Sequence, residues 1–278
     1  MTLPLPPELP MLPAPRARAL VLLMNPDAPI EGYVAIVEGD PGLTVSVLRA
    51  ANSVASWPLH PVRSAHEAVV RLGTTQIRQI VTAAVLRSEF DRVDAAGIDA
   101  DEMWRHLLGC AVLCEAGTPA GSRPESAFLA GLLHNIGRLA MAVQAPSRYR
   151  QVVDAVQEGG GPVPAERALF GIDHAVFGAR ICQKWQLPPE VIASVEAHHG
   201  APVPEPSPLT PILREARSIV AGLGIGDGIH RPDARDPQVE AHPLLLEVGG
   251  REGLMGEIRW FREATTARTG LPARRRAG

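Results

Sequence analysis

The sequence predicts an all-α protein built as two helical lobes. Apolar residues recur every three or four positions in several segments, which is the period of a helix that packs on one side. Glycine, proline and helix-capping residues separate these segments, and no segment shows a convincing alternation of apolar and polar residues typical of a strand. With 278 residues, the chain exceeds the usual domain of about 100–200 residues, so one or two cores are expected.

Composition and charge limit the classes of partner. Hydrophobic residues make up 46% of the chain and aromatic residues only 4%, so the cores must be built from Ala, Val, Leu and Ile. The net charge of −3 and the pI near 6.3 argue against a nucleic-acid groove and against a surface for anionic membranes. The three cysteines form no disulfide framework and fit a reducing cytosol. We therefore expect a cytoplasmic protein with no nucleic-acid or membrane partner.

The chain divides into four parts by composition and pattern. Residues 1–17 are rich in proline, lack the basic and apolar run of a signal peptide, and are predicted to be a disordered leader. An N-terminal helical lobe is predicted over residues 18–95 and a second helical lobe over residues 96–225. The remaining residues, 226–278, form a C-terminal extension in which residues 243–261 are predicted to make one more helix or a small cap.

Capping residues set the predicted helix boundaries in the N-terminal lobe. Asp40-Pro41 combines an N-cap acceptor with a proline at the first helical position. Ser64 and Glu67 have the spacing of a capping box at the start of the next helix. That helix should stop at Gly73, because glycine readily adopts the left-handed conformation found at helix ends.

A helix that begins near residue 99 opens the second lobe. Trp104 belongs to an apolar stripe on one side of this helix, whereas His106 and Cys110 fall on the other side. Cys110 and Cys114 are four residues apart with His106 one turn earlier, which could in principle hold a metal. We expect instead that both cysteines act as small buried hydrophobes, the usual behaviour of a free buried cysteine.

The most apolar helix is predicted over Ala127–Val143, with the sequence AFLAGLLHNIGRLAMAV, in which only His134, Asn135 and Arg138 carry polar side chains. A helix that is apolar on nearly all sides must be buried on most of them. It is too short and too polar to cross a bilayer, which needs about 20 apolar residues. Burying a polar group without a partner costs about 1–3 kcal/mol. His134 and Asn135 should therefore face other polar groups.

Three further histidines lie near predicted helix ends. A helix is expected to start near Asp173 or His174, because Gly171 precedes them and an apolar stripe follows. Leu187-Pro188-Pro189 then leads into a helix that ends on His198 and His199. Adjacent side chains on a helix diverge by about 100°, so these last two histidines need not serve one site equally.

The segment GLLHNIGRLAM resembles the signature of the HD superfamily of metal-dependent phosphohydrolases, and specifically of its HDOD branch. Three flanking segments resemble the same branch and occur in the same order: DPGLTVSVLRAANS at residues 40–53, ERALFGIDHAVFGA at residues 166–179 and WQLPPEVIASVEAHH at residues 185–199. Together they cover roughly residues 30–225. The resemblance implies that the second lobe is an HD-type helical core.

In catalytic HD proteins, the resemblance implies, a histidine followed directly by aspartate, further histidines and a late aspartate hold one or two divalent metal ions. Such ions polarise a phosphoryl oxygen and lower the pKa of bound water to about 7. In this chain Asn135 follows His134, and Arg217 occupies the position of the late aspartate. An amide is a poorer ligand than a carboxylate, and a guanidinium, which stays protonated, repels a cation. The histidines at the matching positions are His106, His134, His174, His198 and His199.

The HD core is therefore predicted to be degenerate, and three functions follow. The first is a non-catalytic HDOD domain without cofactor, acting as a platform for protein partners in bacterial signal transduction. The second is a metal-dependent phosphohydrolase or phosphodiesterase that acts on a nucleotide or cyclic dinucleotide, with one divalent transition metal on the five histidines. The third is a small-ligand sensor that uses the old active site as its pocket. In the first case Asn135 and Arg138 could simply link helices by hydrogen bonds, with Arg217 paired to a carboxylate.

Overall fold

The computed structural model describes residues 28–53, 60–230 and 235–266. The predicted Pro-rich leader of residues 1–17 lies outside these ranges. Every regular element among the described residues is helical, which confirms the predicted all-α class. The N-terminal helices are α1 (Ile30–Glu38), α2 (Pro41–Ser53) and α3 (Ala65–Glu89), and a 3₁₀ turn, Val93–Ala96, follows them.

The second lobe contains the helices that carry the histidines. These are α4 (Ala100–Ala116), α5 (Pro124–Leu133), α6 (Ile136–Gln144), α7 (Pro146–Gln157), α8 (Pro162–Phe170), α9 (His174–Lys184), α10 (Pro189–Ala197) and α11 (Leu209–Gly222). A second 3₁₀ turn, Pro237–Ala241, leads to α12 (Pro243–Glu247) and α13 (Gly250–Thr265).

The predicted helix boundaries of the N-terminal lobe are confirmed where a capping residue sets them. Asp40 Oδ1 accepts a hydrogen bond of 2.8 Å from the Gly42 amide at the start of α2. Ser64 Oγ accepts one of 3.1 Å from the Glu67 amide at the start of α3. Gly73 has a φ of 75°, so the predicted break is a kink after which α3 resumes.

The single helix predicted over residues 127–143 is wrong, because the structure divides it into α5 and α6 at His134 and Asn135. The Nδ1 atom of His134 lies 2.7 Å from the carbonyl oxygen of Gly131. In a continuous helix that carbonyl would accept from the Asn135 amide. By length and composition, Pro124–Gln144 could cross a membrane, but 94% of its most apolar window is buried inside the protein. The predicted role as a core element is therefore confirmed.

The C-terminal extension contributes a helix to the core. α13 packs against α2 and α3 of the N-terminal lobe and against α4 of the second. Its buried residues include Ile258 and Phe261, and the Phe261 ring lies 5.6 Å from that of Phe128 on α5. The range predicted to form one more helix or a small cap, residues 243–261, is divided between two helices, α12 and α13, and α13 joins both lobes.

Candidate functional site

The five histidines singled out by the sequence meet in one cluster. His106 lies on α4, His134 at the break after α5, and His174 at the start of α9, while His198 and His199 follow the end of α10. The distance between ring centroids is 5.3 Å for His106 and His134, and 5.3 Å again for His134 and His198. His174 lies 5.2 Å from His198 and 4.8 Å from His199. All but His199 are almost completely buried.

Three of these imidazoles are oriented by oxygen atoms at Nδ1. The acceptors are the Gly131 carbonyl for His134 at 2.7 Å, the Val195 carbonyl for His198 at 2.6 Å, and the Glu166 carboxylate for His174 at 2.6 Å. Carbonyl and ionised carboxylate oxygens only accept, so each Nδ1 is assigned a proton. The three rings therefore direct Nε2 towards the interior of the cluster.

Two of these Nε2 atoms face further nitrogens. His174 Nε2 lies 3.3 Å from His198 Nε2 and 2.9 Å from His199 Nε2. Each of these contacts needs a proton or a cation between the two nitrogens, because two nitrogen lone pairs repel each other. The arrangement of His174, His198 and His199 is consequently suited to a metal ion.

Glu166 fixes His174 rather than offering itself as a ligand. Its Oε2 accepts hydrogen bonds from the backbone amide and Nδ1 of His174, at 2.8 and 2.6 Å, and its Oε1 accepts one of 2.6 Å from the Tyr149 hydroxyl. Burial favours the neutral acid, but His174, Arg138 and Tyr149 together outweigh it and lower the pKa of Glu166 to about 2. A carboxylate that orients a histidine through its second nitrogen is a common feature of metal sites.

Burial favours the neutral form of three of the clustered imidazoles. It lowers the pKa of His106 from 6.5 to about 4, and that of His134 and His198 well below 6.5. The positive charge of Arg217 is the next largest cause for His198. Since metal ions bind the neutral ring, these histidines are in the ligand-competent state at neutral pH.

The two positions where the resemblance implies an acid carry no negative charge. Asn135 is 1% exposed, and neither its Oδ1 nor its Nδ2 has a hydrogen-bond partner among the described residues. Arg217 donates through Nη1 to the carbonyl oxygen of His198 at 2.9 Å. The predicted alternative in which Arg217 pairs with a carboxylate has no counterpart in the part of the chain that the structure describes, and neither has the predicted link through Asn135.

Arg138 links its helix, α6, to the loop after α11 rather than to another helix, through a partner that sequence reasoning missed. Its Nη1 lies 2.7 Å from Asp227 Oδ2, and the Arg138 side chain is completely buried. Burial disfavours the charged Asp227, but the adjoining Arg138 more than compensates, so the pKa of Asp227 falls well below its ordinary value. Asp227 lies in the predicted extension after α11, where no local pattern marks it. The sequence did contain a signal that could have identified Glu166 as a site residue, because Glu166 lies eight residues before His174 inside the segment that resembles the family.

The residues fit a centre of two carboxylate-bridged metal ions poorly and a single ion better. Glu166 is bound by His174 and Tyr149, Asp227 is bound by Arg138, and Arg217 adds a positive charge. Two groups have donor atoms within 4.8 Å of one another: His174 with His198 and His199, and His106 with Cys110 and His134. Nitrogen and sulfur donors of this kind suit transition metals such as zinc.

Residues 9–201 match the HDOD domain family. An HDOD domain protein of Geobacter sulfurreducens has a similar structure, with a TM-score of 0.71 and 23% identity over 93% of this chain and 94% of that one. A provisionally named phosphohydrolase of Shewanella amazonensis has a TM-score of 0.66 and 26% identity, covering 92% of this chain and 94% of its own. An uncharacterised protein of Treponema pallidum is 24% identical over 70% of this chain, which spans only 38% of that relative.

Proposed function

The chain belongs to the HDOD family, and from this we propose that it is a non-catalytic signalling domain whose helical lobes form a platform for protein partners. The proposal concerns bacterial signal transduction, in which the partner would be another signalling protein. Family membership supports the signalling role, and the chemistry of the histidine cluster supports the absence of catalysis.

The observation that carries the proposal is the position of Arg217. Its guanidinium donates to the backbone of His198 and is held beside the cluster, where a hydrolase of the superfamily would place a carboxylate. A permanent positive charge there opposes a second metal ion and takes the place of the carboxylate that the superfamily uses. Without a second ion, the cluster lacks the two-metal arrangement that clamps the attacking and leaving oxygens.

The test of non-catalysis compares wild type with a variant that restores both acids. Tag-free protein is incubated with manganese, iron, nickel or zinc and with a cyclic dinucleotide or a nucleoside phosphate. We expect no hydrolysis above the rate of buffer and metal alone. The double variant Asn135→Asp with Arg217→Asp should bind more metal per chain than wild type. Cleavage by wild type that disappears in His134→Ala would overturn the proposal.

The platform role needs its own experiment, namely cross-linking of the full chain in the bacterium that produces it. A signalling protein should be recovered reproducibly, and Asn135→Ala should alter its recovery or the stability of the chain without changing any hydrolysis rate. If no signalling protein is enriched over a cross-linked control, the platform role is contradicted even where hydrolysis is absent.

A phosphohydrolase with one metal ion is the second candidate, favoured by the converging nitrogens of His174, His198 and His199. The name of the Shewanella amazonensis protein points in the same direction. A thermal-shift series with the same four metals separates the candidates, because an ion that binds only the folded state raises the unfolding temperature. A nucleotide screen in the same format tests the ligand sensor, and a flat result would remove the support for it.

A further inference from the structure

A second group of potential ligands lies next to His174, His198 and His199 and includes a thiol. His106 and Cys110 are one turn apart on α4, and His134 faces them from the break between α5 and α6. One donor atom from each lies within 4.8 Å of the others, and all three residues are buried. Cys110 Sγ lies 3.7 Å from His106 Nε2.

His134 points an unsatisfied atom into this group. Its Nδ1 is occupied by the Gly131 carbonyl, which leaves Nε2 with a lone pair. His134 is 0% exposed, and Nε2 has no hydrogen-bond partner among the described residues. An unsatisfied buried acceptor costs about 1–3 kcal/mol, so this atom needs either a donor or a cation.

We propose that His106, Cys110 and His134 bind one zinc-like transition metal ion, with Cys110 as a thiolate ligand. A tetrahedral zinc ion with Zn–S of about 2.3 Å and Zn–N of about 2.0–2.1 Å places sulfur and nitrogen about 3.5 Å apart. The observed separation of 3.7 Å between Cys110 Sγ and His106 Nε2 is close to that value. All three donor atoms lie within 4.8 Å of one another, so side-chain movements can bring them to these distances.

The thiolate supplies the negative charge that Asn135 and Arg217 do not. On binding, the Sγ–H bond of Cys110 breaks, its proton passes to solvent, and sulfur forms a bond to the metal in place of a coordinated water. Two neutral imidazoles replace two further waters, and the fourth position keeps a water. A thiolate ligand favours zinc or copper(I) over magnesium or manganese, which prefer oxygen.

The inference goes beyond the proposed signalling role and does not depend on it. A single ion held by one thiolate and two imidazoles, with the Arg217 charge alongside, is compatible with a protein that performs no hydrolysis. Binding is measured by spectroscopy and affinity, whereas the proposed function is tested by hydrolysis and partner recovery, so either can fail alone.

Cobalt(II) substitution tests the sulfur ligand directly. Metal-free full-length protein is titrated with cobalt, and we expect the near-ultraviolet charge-transfer absorption that reports a thiolate–cobalt bond. Cys110→Ser should abolish this absorption and weaken zinc binding by more than the roughly 10–100-fold that the loss of an outer-shell partner costs. Cys114→Ser is the matched control, because Cys114 is buried one turn further along α4 and outside the group, and it should keep both properties.

Three outcomes would overturn the inference. The first is cobalt binding without the sulfur absorption, which a site at His174, His198 and His199 would give. The second is loss of the absorption in Cys114→Ser but not in Cys110→Ser, and the third is no binding of either metal. X-ray absorption of zinc-loaded wild type covers the case in which Cys110→Ser does not fold. It should show one sulfur at about 2.3 Å, and a shell of nitrogen and oxygen alone would contradict the proposal.

Discussion

Asp227 is the counter-charge of the fully buried guanidinium of Arg138. Its carboxylate lies 2.7 Å from Arg138 Nη1, and its Oδ1 also accepts from the backbone amide of His230 at 2.9 Å. Asp227→Asn keeps the shape and the backbone contact but leaves the guanidinium without its counter-charge. Breaking a buried pair in this way costs about 3–5 kcal/mol, and we expect a loss of about 3 kcal/mol in the free energy of unfolding measured with urea.

An exposed ion pair provides the control for that measurement. Asp101 lies 2.8 Å from Arg262, but its side chain is 64% exposed. Asp101→Asn should therefore lower the free energy of unfolding by less than about 1 kcal/mol. Equal losses in the two variants would show that Asp227 acts through local shape rather than as a counter-charge.

The site residues that sequence reasoning found and those that it missed differ in the kind of information that identifies them. The five histidines, Asn135 and Arg217 were identified because they stand at fixed places in segments that resemble a family. Asp227 was missed, because its role depends on contact with Arg138, 89 residues earlier in the chain. Tyr149 was missed for the same reason, since its hydroxyl meets Glu166 only after α7 and α8 pack together.

At the level of the helices, close crossings between them position the histidines. Gly137 on α6 faces the start of α9, and a Cβ atom at Gly137 would lie 2.1 Å from the carbonyl oxygen of His174 and 2.7 Å from the amide of Gly178. Both neighbours are backbone atoms, so the helices would have to move apart. Gly137→Ala should lower the free energy of unfolding by about 1–3 kcal/mol or more, since about 1–3 kcal/mol is the usual cost of overpacking.

Gly256 on α13 is the matched control for this substitution. A Cβ atom there meets nothing within 4 Å, and the backbone is already helical. Gly256→Ala should raise the free energy of unfolding by about 0.5–1 kcal/mol through helix propensity alone. Thermal or urea unfolding of both variants measures the difference, and a neutral Gly137→Ala would contradict the close crossing of α6 and α9.

Helix boundaries were predictable where the chain itself contains the signal. Asp40, Ser64 and Gly73 act within a few residues of their own positions, and the structure confirms their effect. The break at His134 was not predicted, because the local sequence is strongly apolar and helical. At this break, Nδ1 of His134 contacts the carbonyl oxygen of Gly131 in its own helix, and Nε2 points into the cluster.

The whole molecule combines the two lobes through α13 and contains histidines whose pKa is lowered. The pKa of His106 is lowered to about 4, and those of His134, His198 and His199 are lowered too, burial being the largest cause for each. In the unfolded chain these rings should titrate near 6.5. Below that pH the unfolded state therefore binds more protons than the native state, and stability falls as the pH decreases from about 6.5 towards 4.

This pH dependence can be assigned to the buried rings by substitution. In chelator-treated protein, His106→Gln should remove about one proton from the difference between the unfolded and native states. The slope of unfolding free energy against pH between about 6.5 and 4 should then decrease by roughly 1.4 kcal/mol per pH unit. His66→Gln is the control for the substitution itself, because His66 is exposed. Urea unfolding at a series of pH values measures the slope.

The same slope in His106→Gln as in wild type would mean that His106 is protonated inside the folded protein, and the neutral state of the cluster would then be wrong.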